Sequence, residues 1–140
     1  MTIEVAISKS EYGSDIEMVF KKSDDFLVKV NFNTCFHGAS LDKIKSFKYA
    51  LQQKICGFLD FSLNLKTETV SFHAVENNGS YTLIIVYFLI EGHSTIVFRY
   101  DFSNCEDQDL FIGVIDKMIK DVEHVSITHD DDCCNDNYVD

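Results

Sequence analysis

The feature that most constrains this chain is one stretch, Tyr81–Phe102 (YTLIIVYFLIEGHSTIVFRYDF). From Tyr81 to Ile90 Thr82 alone is plainly polar, and β-branched and aromatic residues dominate. Such side chains fit a pleated surface, so the stretch reads as the central hairpin of an antiparallel sheet. The run is too short to cross a membrane as a helix, which takes about 20 apolar residues. Gly92-His93 separates two apolar runs. Glycine at the first central position suits a two-residue type II′ turn, and the turn sets the register. The expected core face pairs Leu89 with Ile96, Tyr87 with Phe98, Ile85 with Tyr100 and Leu83 with Phe102. The opposite, mixed face pairs Phe88 with Val97, Val86 with Arg99 and Ile84 with Asp101.

A second turn points the same way. Asn78-Gly79 is the strongest hairpin signal in the chain and predicts a type I′ turn. It places Ala74 against Leu83, Phe72 against Ile85 and Val70 against Tyr87, the residues already assigned to the core. Ser71 then lies beside Val86, and His73 beside Ile84, on the mixed face. Agreement between two independent turns supports a meander.

Upstream, Ile3, Val5 and Ile7, then Ile16, Met18 and Phe20, then Phe26, Val28, Val30 and Phe32 alternate with polar residues as three strands. The period then lengthens. Ser40 is suited to an N-cap and Asp42 to the first turn, and Leu41, Ile44, Phe47, Leu51 and Ile55 make one apolar helical stripe ending near Gly57. Phe61, Leu63 and Leu65 alternate as a further strand before Val70–Ala74. Leu110, Phe111, Val114, Ile115, Met118, Ile119 and Val122 form the stripe of a last helix that starts at Asn104 or in the run Glu106, Asp107 and Asp109. From Ser126 periodicity stops and aspartates accumulate. Residues 1–126 are thus expected to form a single domain and 127–140 a flexible acidic tail.

The expected architecture is α+β, with a single antiparallel sheet of about six to seven strands in the order β-β-β-α-β-β-β-β-α and two helices packed on one face. The other face is then open. Ile84, Val86, Phe88 and Val97 form its apolar centre, and Ser71, His73, Arg99 and Asp101 its border. An apolar centre with a polar rim is the usual anatomy of a binding patch, so these eight residues are the candidate partner-binding site.

Charge narrows the partner. The chain carries 23 acidic against 12 basic residues, a formal net charge of −11, and Arg99 is its only arginine. Binding to a phosphate backbone needs clustered cations, and binding to anionic lipid needs them too, so neither is expected. A basic protein partner fits better. The N-terminus lacks a charged-then-apolar leader pattern, and the five cysteines are odd in number and irregularly spaced. Both observations favour a reducing, cytoplasmic setting over a disulfide framework.

Motifs for chemistry are sparse. Cys35 and His37 are close in sequence, with no acidic residue evident to orient the pair. His129, Asp130, Asp131, Asp132, Cys133 and Cys134 include metal-ligating types. Adjacent cysteines rarely share one tetrahedral zinc, and no second pair completes a site. Asp60 and Asp101 are outward carboxylates on alternating strands. No nucleophile-elbow, zincin, phosphate-loop or dinucleotide fingerprint occurs. The expectation is a non-enzyme with no catalytic residue, metal or cofactor.

The order FLVKVNF, SLDKIKSFKYALQQ, VSFHAVENNGSYTLIIVYFL, IVFRYDF and a closing helix, from about Phe26 to Val125, resembles small α+β immunity proteins of bacterial polymorphic-toxin systems. The type paired with wall-associated toxins, as in contact-dependent inhibition, is the nearest in layout. The resemblance rests on element order and apolar spacing. The chain departs from it in having no proline at strand entries and in its acidic C-terminal stretch. It implies a cytoplasmic antitoxin that binds one cognate toxin, as a monomer or weak homodimer, and it carries over no individual contact residue. A basic, nuclease-type toxin is the expected target, since an acidic inhibitor associates fast and covers a nucleic-acid groove. The alternative is a small-ligand binding protein or enzyme on the open sheet face, with Tyr87 and Arg99 as contacts if their faces converge on a cavity. A third possibility is a symmetric oligomeric scaffold.

Overall fold

Alternating side chains produce seven strands and the two longer-period stripes produce two helices. The computed structural model describes residues 2–23, 25–64, 67–89, 94–102 and 104–136. The elements in chain order are β1 (Thr2–Lys9), β2 (Ser14–Ser23), β3 (Phe26–Asn33), α1 (Leu41–Gln53), β4 (Gly57–Asn64), β5 (Glu68–Asn77), β6 (Ser80–Leu89), β7 (Ser94–Asp101) and α2 (Cys105–Asp136). No described helix is long and apolar enough to cross a membrane.

The α+β class holds, but the single sheet does not. The strands form two antiparallel meanders, β1-β2-β3 and β4-β5-β6-β7. The reason lies in the segment after β3, whose hydrogen bonds are already committed. Asn33 Oδ1 accepts from the Cys35 and Phe36 amides, and Thr34 Oγ1 accepts from the Ser14 amide while donating to Asp121 Oδ2 on α2 (2.7 Å). The chain then turns into α1. The same loop is tied to β4 by a bond from the Ser62 amide to the His37 carbonyl (2.7 Å).

Each sheet gives one face to a shared core. Ile16, Met18 and Phe20 of the first sheet meet Phe72, Leu83, Ile85 and Tyr100 of the second, with Ile44, Phe47 and Leu51 from α1 and Phe111, Ile115 and Met118 from α2. Aromatic contacts knit the layers together. Phe20 lies 5.5 Å from Tyr100, Phe32 5.0 Å from Phe61, and Phe111 5.2 Å from Phe72. The inner face of the second sheet is therefore covered by the helices and by the first sheet, not by the helices alone.

The Asn78-Gly79 turn has φ of 52° and 86°, as type I′ requires. Its register is the expected one: Ala74 pairs with Leu83, Phe72 with Ile85 and Val70 with Tyr87. The β6–β7 register differs. Leu89 pairs with Ser94, so Val86 faces Val97 and Ile84 faces Arg99. The Gly92-His93 turn itself lies outside the described residues. The slip amounts to two residues, and because side chains alternate with a period of two, every residue keeps its expected face.

Ser40 caps α1, accepting from the Lys43 amide (3.3 Å), and Asn104 Oδ1 accepts from the Asp107 amide at the start of α2 (2.8 Å). The exit of α1 is not Gly57 but Lys54, in the left-handed conformation at φ 56°, with the Ile55 amide bonded back to Ala50 O. Gly57 has another role. A Cβ there would stand 2.6 Å from the Ala50 Cβ, so glycine lets β4 start against the helix. The backbone of α2 continues through Ser126 to Asp136, past the point where its apolar periodicity stops.

Candidate functional site

With Leu83, Ile85, Phe98 and Tyr100 buried in the core, alternation turns their neighbours outward. The outer face of the second sheet is built in rows across the strands. Phe58, His73, Ile84 and Arg99 make one row; Asp60, Ser71, Val86 and Val97 make the next. Thr69, Phe88 and Thr95 follow on one side, and Val75, Thr82 and Asp101 on the other. All eight residues expected to form the patch therefore share one face. Ile84, Val86, Phe88, Ser71 and His73 are half-buried, and Val97, Arg99 and Asp101 are exposed.

Two large apolar side chains dominate this face. Val97 is 63 % and Phe58 58 % exposed, on strands at its opposite edges. Phe58 stacks on the His73 ring, with centroids 5.9 Å apart and planes 18° apart. The sequence reading did not include Phe58. The signal was present, since Phe58 lies two residues before the outward Asp60.

The polar groups of the face are mutually engaged. Ser71 Oγ donates to Asp60 Oδ1, and His73 Nε2 lies 2.7 Å from the same hydroxyl. A hydroxyl has one proton, so with Asp60 receiving it, His73 Nε2–H donates to Ser71. A hydrolase triad has the opposite order: histidine takes the serine proton and the carboxylate orients histidine. Asp60, Ser71 and His73 are a surface hydrogen-bond chain. Asp101 Oδ1 accepts from Thr82 Oγ1 (2.8 Å) and pairs with Arg99 Nε at 3.4 Å. Both partners of that pair are more than half exposed, so it contributes about 0–1 kcal/mol. Asp60 and Asp101 sit on the two edge strands of the sheet. Three strand spacings keep them at least roughly 14 Å apart, beyond the reach of paired carboxylates acting on one bond.

Cys35 and His37 form a loop lock. His37 is 2 % exposed; its Nε2 donates to Thr34 O (2.8 Å) and its Nδ1 accepts from the Ala39 amide (3.0 Å). Both nitrogens are thus occupied by backbone. Burial lowers the His37 pKa and keeps the ring neutral, while burial raises that of the Cys35 thiol. Neither shift suits a nucleophile–base pair.

Tyr87 and Arg99 do not converge. Tyr87 lies on the inner-face register opposite Val70 and Ile96 and donates to Glu68 (2.8 Å), whereas Arg99 points outward. A cleft of about 480 Å³ borders the outer face where β6 and β7 meet the start of α2, with Lys54, Thr82, Arg99, Asp101 and Gln108 among its walls. Its polar groups are largely committed: Thr82 and Arg99 to Asp101, and Gln108 to Leu51 O. Among the described residues no cluster of three His, Cys, Asp or Glu could hold a metal ion. The side chains of His129 to Cys134 lie outside the described ones. No family model, curated protein or solved structure matches this chain.

Proposed function

We propose that the chain is an immunity protein that neutralises one cognate toxin by stoichiometric binding through the outer face of β4–β7. One observation carries the reading. A sheet whose inner face packs Phe72, Leu83, Ile85, Phe98 and Tyr100 into the core holds Phe58 and Val97 more than half exposed on its outer face, with Ile84, Val86 and Phe88 between them and charged or hydroxyl groups around them. Apolar anchors inside a polar rim on a preorganised surface are what protein recognition uses. The net charge of −11 suits a basic target, for which a nuclease is the proposed class. The layout likeness to immunity proteins supports the same reading, as does the committed hydrogen bonding of the Asp60, Ser71 and His73 chain. The place of action is the cytoplasm of the cell that makes both proteins. Co-expression with the product of the adjoining upstream gene tests this. The expected result is rescue of growth and co-purification in equal amounts. A neighbour with no toxic activity, or one that never co-purifies, overturns the proposal.

A further inference from the structure

The hydrogen-bond chain on the outer face has two open ends. The Ser71 hydroxyl gives its one proton to Asp60, so His73 donates to it through Nε2–H. The neutral ring then carries its lone pair on Nδ1. That nitrogen has no bonding partner among the described residues. No buried side-chain nitrogen or oxygen among them lacks a partner, so Nδ1 is open to solvent. At the other end Asp60 uses Oδ1 alone, which leaves its Oδ2 free on an exposed side chain. Phe58 adjoins both ends. Its ring stacks on His73, and it stands two residues before Asp60 on β4, on the same face.

These groups present a ring-nitrogen acceptor, a carboxylate oxygen and an exposed aromatic ring. A planar cation with several N–H donors matches all three, since it bonds to the lone pairs and lies on the ring. We infer that Phe58, Asp60 and His73 receive an arginine side chain of a basic protein partner, and that protonation of His73 expels it. The inference deepens the proposed binding and rests on that reading for its partner. A lysine fits less well, because its ammonium is a point charge without a flat face. The surrounding charges leave the place open. Asp42 and Lys43 of α1 border Phe58 and Asp60 in a cleft of about 230 Å³ and offset each other. Arg99 shares a row with His73 but stands beyond Ile84, two strand spacings or roughly 10 Å away, and pairs with Asp101. A histidine ring ordinarily gains its second proton at about pH 6.5. Nε2–H is already committed to Ser71, so that proton goes to Nδ1. The acceptor becomes a cationic donor and repels the guanidinium.

NMR of the full chain tests the site without any toxin, so it can fail separately from the immunity reading. Spectra of the imidazole nitrogens should show neutral His73 as the Nε2–H tautomer; the Nδ1–H tautomer overturns the inference. The probe is N-acetyl-argininamide, with N-acetyl-citrullinamide as its uncharged isostere. At about pH 7.5 the arginine probe should shift the Phe58 and His73 ring signals to saturation, and the citrulline probe should not. At about pH 5.5 the arginine response should be lost. Phe58→Ala and Asp60→Asn should each abolish saturation at the higher pH. His73→Asn, whose amide oxygen accepts a hydrogen bond and takes no proton, should respond alike at both pH values. No response, equal responses to the two probes, or a wild-type response that persists at the lower pH overturns the inference. If the site responds as expected but no toxin pairs with the chain, the arginine site stands and the immunity reading falls.

Discussion

Phe58 and Phe111 show how exposure rather than residue type sets the cost of a change. Phe111 is fully buried and touches Phe20, Phe47, Phe72 and Phe102. Phe111→Ala should cost about 3–5 kcal/mol in denaturant unfolding, through lost transfer energy and the cavity left behind. Phe58→Ala should change stability by less than about 0.5 kcal/mol in the same titration, because its ring is mostly in water and meets His73 alone among described aromatic rings. His37 predicts a pH effect. Its folded pKa is lowered by burial, so the unfolded chain binds the proton more readily. Its contribution to stability is complete above the unfolded value, about 6.5, and is lost as pH falls below it toward the folded pKa. Urea midpoints should fall from about pH 7.5 to about pH 5.5, and the part due to His37 should vanish in His37→Gln. Equal slopes in the two proteins would show that the ring does not govern this window. His37 looked like a possible base from its neighbour Cys35. That its two nitrogens instead bind Thr34 O and the Ala39 amide depends on a loop conformation that no local pattern encodes.

At the scale of elements, every expected strand and helix is present, because alternation and the three-and-four spacing are strong signals over eight or more residues. The Asn78-Gly79 register was legible because positive φ at both turn positions leaves few alternatives. The β6–β7 register was not, since one Gly-His pair fits several loop lengths. The face assignment of Ile84, Val86, Phe88, Val97, Arg99, Asp101, Ser71 and His73 survived because it needs only parity. The division into two sheets was hidden. It rests on Asn33 and Thr34 spending their side chains on backbone amides and on Asp121, contacts with residues far away in sequence. The end of α1 was misplaced for a related reason: Gly57 is required by contact with Ala50, not by a helix cap. Gly57→Ala should therefore destabilise the fold by about 1–3 kcal/mol, as overpacking between α1 and β4 does, and a change within error would show that the two elements part easily.

On the scale of the molecule, two sheets and two helices spend their apolar surface on one core and leave the outer face of β4–β7 bare. The helices meet across their polar sides as well. Lys48 and Lys120 both hold the Asp116 carboxylate, in that order of effect, which keeps its pKa below the usual range. The uncovered mixed face of β4–β7 and the surplus of acid are the features on which the proposed binding of another protein rests. The most direct measurement is the affinity and protective activity of the double variant Phe58→Ala with Arg99→Glu against the proposed cognate toxin. Both side chains are more than half exposed, so the melting curve should stay unchanged. Loss of an apolar anchor typically costs about 2 kcal/mol or more, so Kd should rise at least about 30-fold and protection should fail. A folded double variant that binds and protects as well as the wild type would contradict the placement of the contact on this face.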